Sequence, residues 1–388
     1  MVDCEKFHKV AAKAAIPAKA GIQAMDTYFI ESQGIFKFYD RVARDYELYV
    51  PVKAKSGLKV KCDHSFLLPT NDYLLKNYSD LKKEEVVFNE YRSIEPARSF
   101  FSRAKEEICG YFTGRTSEVL ERPVAICGFK NCDLFSLKIQ DFVFLGGNEQ
   151  DQFYKVRREN ALIISGDCPA FKEACFCRAF DIDPYPSEGF DFNLANIGEG
   201  YILDVATDKA KKIISDIKEI LTAAASSRIG RKELNRESVV KRLDEHLSYH
   251  KIPKKEQLKE IVTAGHNSGV WQEQMQTCVE CGGCVFMCDT CHCFLLYDEP
   301  EGDNAKRMRI WDGCLYKNFT RVAGGVNPLK MRYMRLRNRY LKKFDFFIDN
   351  LGYQACCGCG RCIDVCPGKI DIRYILKRLH DEKYLPAH

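Results

Sequence analysis

The run CVECGGCVFMC at residues 278–288, answered by CCGCGRCIDVCP at 356–367, decides how this chain is read. Cys278, Cys281, Cys284 and Cys288 stand at C-x2-C-x2-C-x3-C spacing, and Cys356, Cys359, Cys362 and Cys366 repeat it with Pro367 behind. That is the bacterial ferredoxin spacing for [4Fe–4S] clusters, in which the fourth cysteine of each run serves the other run's cluster. Two-residue gaps let a tight loop aim three thiolates at one cubane. The fourth thiolate, a helical turn on, points to the neighbouring one. The first cluster is therefore assigned Cys278, Cys281, Cys284 and Cys366, and the second Cys288, Cys356, Cys359 and Cys362. Gly282, Gly283, Gly358 and Gly360 suit the dihedrals and close backbone approach of such loops.

Two rivals compete for these cysteines. A zinc ribbon spreads two C-x2-C pairs over a hairpin, which four cysteines within eleven residues, twice over, do not suit. Cys288-Asp-Thr-Cys291-His292 matches a c-type haem attachment site, but lysines at 9, 13 and 19 break any apolar export signal. Asp289 stands where a ferredoxin run has proline, so the first run's exit turn is expected to differ. Cys291, Cys293, Cys314 and Cys357 are surplus to two cubanes. The stretch KMRYMRLRNRYLKK (330–343) carries seven basic residues and no acidic one. Beside clusters of net negative charge it reads as potential tuning or partner docking, and no nucleic acid is required.

Working outward, the twenty cysteines fall into eight up to Cys177 and twelve from Cys278 on. The gap between is helical in period: 206–228 places Ala210, Ile213, Ile214, Ile217, Ile220 and Leu221 on one stripe, and 236–250 and 254–264 follow. His246 and His250, four apart on the second of these, read as a solvated helix face. Earlier, 47–62 alternates as a hairpin around Ser56 and Gly57. RPVAICGF (122–129), ALIISGDC (161–168) and YILDVA (201–206) read as buried strands, with a helix after the first. Two of those strands end beside cysteines. Cys132, Cys168, Cys175 and Cys177 could then meet as a third [4Fe–4S] ligand set.

The expected fold class is α+β. Residues 1–24 read as a flexible extension, 25–204 as a mixed Cys-containing domain and 205–275 as a helical connector. A ferredoxin-like dicluster domain follows at 276–376, with an insertion at 294–350 and a tail at 377–388. Twenty cysteines without an export signal point to a reducing cytoplasm and metal or redox chemistry. The basic excess, 59 against 54, is too small to imply nucleic acid. No apolar run reaches the ~20 residues that cross a bilayer. There is no G-x-x-x-x-G-K-[ST] loop and no G-x-G-x-x-G fingerprint, so no nucleotide or flavin site is marked.

CGGCVFMCDTCHCF (281–294), RIWDGCLYKNFTRVAGGVNP (309–328) and KKFDFFIDNLGYQACCGCGRCIDVCPGKIDI (342–372) resemble the dicluster iron–sulfur subunit family. That family includes the beta subunit of cytoplasmic sulfhydrogenases and the A subunit of anaerobic sulfite reductase. CGFKNCDLFSLKIQDFVFL (127–145) and RRENALIISGDCPAFKEACFC (157–177) are similar to its first domain, so the likeness spans about 30–375. The resemblance implies a non-catalytic electron-transfer subunit of an anaerobic oxidoreductase complex, relaying single electrons between a flavin-bearing, nucleotide-oxidising subunit and a catalytic subunit. It carries over the eight cubane cysteines position by position. The alternative is a reductase with its own substrate site in the N-terminal domain.

Overall fold

The computed structural model describes residues 25–54, 72–110, 122–302 and 304–384. The expected extension at 1–24 and the expected turn at Ser56–Gly57 lie outside these. Strand β1 (Asp26–Glu31), helix α1 (Ile35–Asp45) and strand β2 (Glu47–Lys53) open the described chain. β3 (Tyr73–Asn77) pairs antiparallel with β2. There follow β4 (Lys105–Gly110), β5 (Val124–Phe129), helices α2 (Asn131–Leu145) and α3 (Gln152–Asn160), then β6 (Leu162–Gly166), β7 (Phe192–Asn196) and β8 (Gly200–Val205). Helix α4 (Asp208–Ser215) leads to β9 (Thr222–Ala223).

These strands, β4 apart, form an eight-stranded sheet in the order β3-β2-β5-β6-β7-β8-β1-β9. Its centre, β2-β5-β6-β7, is parallel. Parallel neighbours need a long crossover, which α2 and α3 supply between β5 and β6. Both faces are covered, as the period of two requires. Leu162 and Ile164 pack with Phe38, Val42 and Ile213, while Ile163 between them packs with Leu134, Leu137 and Tyr154. All four parallel strands therefore deliver their C-terminal ends to one edge, where Cys132 and Cys168 follow β5 and β6.

The stripe at 206–228 is not one helix. Thr207 caps α4 by accepting from the Ala210 N–H at 3.2 Å, and the helix stops at Ser215. Ile217 still packs beside Ile213 and Ile214, but Thr222 and Ala223 pair with Phe29 and Tyr28. Edge pairing with β1 takes the backbone that local periodicity assigned to a helix. Helix α5 (Ser226–His250) then runs 25 residues, followed by α6 (Leu258–Ala264) and α7 (Val270–Gln274).

The rest comprises α8 (Gly283–Phe286), β10 (Phe294–Glu301), β11 (Asn304–Trp311), α9 (Arg332–Leu341), a π turn at Lys342–Phe346, α10 (Phe347–Leu351), α11 (Arg361–Asp364) and α12 (Ile372–Tyr384). The boundary expected at 376 falls inside α12, whose Leu376 and Leu379 pack with Leu258 and Ile261 of α6. β10 and β11 form a second sheet with β4 of the N-terminal half. Buried Glu106 holds this join, pairing with Arg157 at 2.8 Å and Arg309 at 2.5 Å. Among the described residues, no helix is long and apolar enough to cross a membrane.

Candidate metal centres

The two cysteine runs fold alike. In each, a residue at positive φ precedes the second cysteine (Glu280 at 57°, Gly358 at 65°). A glycine follows that cysteine (Gly282 at 73°, Gly360 at 75°) and starts a one-turn helix, α8 or α11. This winding brings backbone N–H groups to sulfur: the Glu280 N–H reaches Cys278 Sγ at 3.4 Å, and the Ile370 N–H reaches Cys366 Sγ at 3.4 Å.

Cys278, Cys281, Cys284, Cys366 and also Cys362 line one cavity, together with Leu336, Arg339 and Tyr340. Cys288, although from the first run, lies within electrostatic reach of Cys356, Cys359 and Cys362. Four thiols converging on one volume, with N–H groups aimed at sulfur, are a donor set that fits a cubane. Cys281 is exposed while Cys356 and Cys359 are buried, so the two groups differ in access to solvent.

The N-terminal cysteines also converge. Cys132 opens α2 after β5, and Cys168 follows β6; because these strands are parallel neighbours, both residues emerge at the same sheet edge. Cys168 lies within electrostatic reach of Cys132, Cys175 and Cys177. The loop bearing Cys175 and Cys177 is pressed against the second run. A Cβ on Gly358 would lie 2.6 Å from the Cys177 backbone, and one on Gly360 would lie 2.2 Å from the Ala174 carbonyl. Surplus Cys357 clusters with Cys359 and Asp289.

Cations are buried beside each group. The basic run at 330–343 is sorted by the helix period. Arg335, Arg339 and Lys343 point inward, while Lys330 and Arg332 are exposed. Arg339 donates to Cys291 Sγ at 3.2 Å and to the Cys284 carbonyl at 2.8 Å. The π turn brings Lys343 to Cys288 Sγ at 3.4 Å, Thr290 Oγ1 at 2.6 Å and the Ala355 carbonyl at 2.9 Å. Burial works against the charge on Lys343, yet the thiolates of Cys288 and Cys291 hold its pKa above the ordinary lysine value. At the third group, fully buried Lys130 donates to the Asp167 carbonyl at 2.9 Å and lies over the Phe88 ring. Burial pulls its pKa down, against the attraction of Cys168 and Asp167.

Asp289 has a use that the sequence did not suggest. It is fully buried, accepts from the Ala97 N–H and pairs with Arg361, which also pairs with Asp133 at 2.8 Å. The exit of the first run is thereby tied both to the second run and to α2. Arg92, likewise buried, donates to the Cys359 carbonyl and pairs with Asp364 at 2.6 Å. His292, the histidine of the haem-like motif, turns to the Thr290 carbonyl at 3.2 Å. His246 and His250 are not simply solvated: His246 meets the Glu173 carbonyl at 2.9 Å, and His250 takes a hydrogen bond from Arg373 at 3.2 Å. Both brace the loop that carries Cys175. A small cavity reaches Cys168 between Tyr185, Lys232 and Arg236. Its cations are engaged, Arg236 with Asp167 at 2.7 Å and Lys232 with Asp204 at 3.1 Å.

Residues 277–370 match the family of 4Fe-4S dicluster domains. Together with likeness along nearly the whole chain, this marks the protein as a dicluster 4Fe-4S electron-transfer subunit. It is 29% identical over 354 residues to the sulfhydrogenase 2 subunit beta of Pyrococcus furiosus, covering 91% of this chain and 98% of that one. It is also 23% identical over 129 residues to the F420-dependent formate dehydrogenase subunit beta of Methanocaldococcus jannaschii, covering 33% of this chain and 27% of that one.

Proposed function

We propose that this chain relays single electrons through three [4Fe–4S] centres inside a cytoplasmic anaerobic oxidoreductase complex, between a flavin-bearing subunit and a catalytic subunit. The ligand sets are Cys278, Cys281, Cys284 and Cys366; Cys288, Cys356, Cys359 and Cys362; and Cys132, Cys168, Cys175 and Cys177. The observation that carries this reading is contiguity. In this reading the first two sets exchange their fourth cysteine, and the close approach of Gly358 to the backbone of Cys177 brings the second set beside the third. When bound, such a centre takes up and releases one electron at a time at a potential set by its surroundings. The chain's own residues hold the thiols together and bury Arg339, Lys343 and Lys130 beside them. The expected division at 25–204, 205–275 and 276–376 remains part of this proposal, with the relay crossing it.

The test is iron and acid-labile sulfide per chain on protein purified without oxygen. About twelve of each are expected, at four per cubane. The double variant C175S/C177S should retain about eight of each. Zinc in place of iron overturns the relay. An iron content that the double variant leaves unchanged overturns the third centre.

A further inference from the structure

Cys293 and Cys314 belong to none of the three sets, and the fold brings them to the same end of one hairpin. Cys293 immediately precedes β10 and Cys314 follows β11. The ladder continues past Phe294 and Trp311, with the Asp312 N–H donating to the Cys293 carbonyl at 3.0 Å, which sets the two cysteines diagonally across the hairpin's open end. Their thiols face each other closely enough for each to shift the other's titration. The pair is unequal: Cys293 is half-buried, whereas Cys314 is 3% exposed. Arg98, fixed over the Trp311 ring at 3.9 Å and donating to the Cys291 carbonyl at 2.6 Å, lies beside Cys293 together with Lys342. Arg339 and Lys342 face Cys314.

We infer that Cys293 and Cys314 form a redox-active dithiol whose substrate class is a small disulfide. Reactive cysteines sit in electropositive, partly exposed surroundings, while inert ones are buried in apolar ones. Cys293 is the attacking member by access. Cys314 and the nearby cations also hold its thiol below the usual value, at about 7. In the first step, Cys293 sulfur attacks one sulfur of the external disulfide. The Cys293–substrate S–S bond forms, the external S–S bond breaks, and one thiolate leaves. In the second step, Cys314 sulfur attacks Cys293 sulfur, the Cys293–Cys314 bond forms and the second thiolate leaves. The two cysteine protons pass to the two leaving thiolates. One disulfide is reduced to two thiols and one dithiol is oxidised, so the exchange needs no other reductant.

The experiment uses anaerobic, cluster-loaded full chain and bis(2-hydroxyethyl) disulfide, read by intact mass and by iron content. The starting chain should lose two hydrogens and gain no adduct. C314S should trap one half of the probe on Cys293, and C293S should react at neither site, with iron content unchanged in both variants. A C314S chain that carries no adduct on Cys293 overturns the assignment. So does iron loss in C293S or C314S, which would make these residues cluster ligands. Because trapping is read on the thiols alone, it is decided separately from the relay.

Discussion

The N–H of Phe176 donates to the carbonyl of Gly358 at 2.8 Å, although 182 positions (358 − 176) separate them in the chain. This bond joins the loop that carries Cys175 and Cys177 to the loop that carries Cys356, Cys359 and Cys362. It is feasible only because Gly358 lacks a Cβ, which would lie 2.6 Å from the Cys177 N and Cα atoms.

Gly358→Ala should therefore separate the two loops. The substituted residue must hold φ at 65° and push on backbone, which does not yield as a flexible side chain would. A left-handed non-glycine costs about 1–2 kcal/mol and overpacking about 1–3 more. Gly198→Ala, at φ 91° with nothing within 4 Å, carries the conformational cost alone. Denaturant unfolding of the two variants should differ by the overpacking cost. Equal destabilisation would mean that the loop contact is slack.

Lys343→Met removes a buried cation that touches Cys288 Sγ at 3.4 Å. A hydrogen bond from a charged group contributes about 1.5–3 kcal/mol. At 59 mV per tenfold for one electron, that corresponds to a shift on the order of 100 mV. The sign is negative, because reduction adds negative charge that Lys343 stabilises. A redox titration followed by electron paramagnetic resonance should show one centre moved to lower potential, while Lys317→Met on the exposed loop leaves all in place. An unmoved centre would separate Lys343 from the second ligand set.

Asp289→Ala leaves Arg361, 2% exposed, with Asp133 as its carboxylate partner beside the Ser93 and Ile94 carbonyls. Breaking a buried ion pair costs about 3–5 kcal/mol. Asp289→Asn keeps an acceptor for the Ala97 N–H and should cost less. Thermal unfolding should rank the native chain above Asn and Asn above Ala. Equal melting of all three would show that Asp289 does not hold the first run's exit.

Glu95 gives a pH dependence. Its carboxylate accepts from the Leu75 N–H at 3.2 Å, but burial pushes its pKa up to about 7. In the unfolded chain the value is about 4.3. Between these values the folded state binds more protons, so its stability falls as pH rises and levels off above about 7. Partial solvent access trims the effect to about 1–2 kcal/mol. Glu95→Gln should be more stable than the native chain by that amount at pH 8 and no more stable at pH 4. Parallel stability curves from pH 4 to pH 8 would contradict the shift.

What could be read along the chain was whatever depends on neighbours in sequence. The two cubane runs were legible because three of each set's four sulfurs lie in one loop. The third set was legible only as a cluster of cysteines near two strand ends. The basic stretch at 330–343 was visible as charge, but its division into inward Arg335, Arg339 and Lys343 and outward Lys330 and Arg332 needed the helix and its π turn. The hydrophobic stripe at 206–228 misled, because pairing of Thr222 and Ala223 with β1 outweighed local helical preference.

By itself, the sequence determined the chemistry of this protein: cysteine spacing selects iron–sulfur loops, since the reach of a two-residue gap is a local property of the backbone. Only the tertiary structure decided which loops meet. Parallel β5 and β6 place Cys132 and Cys168 at one edge, and the 174–177 loop closes on Gly358 there. β11 pairs with β4, putting the hairpin and its Cys293–Cys314 pair beside the N-terminal half. Such contacts arise from sheet order and packing between distant segments, which no local spacing encodes.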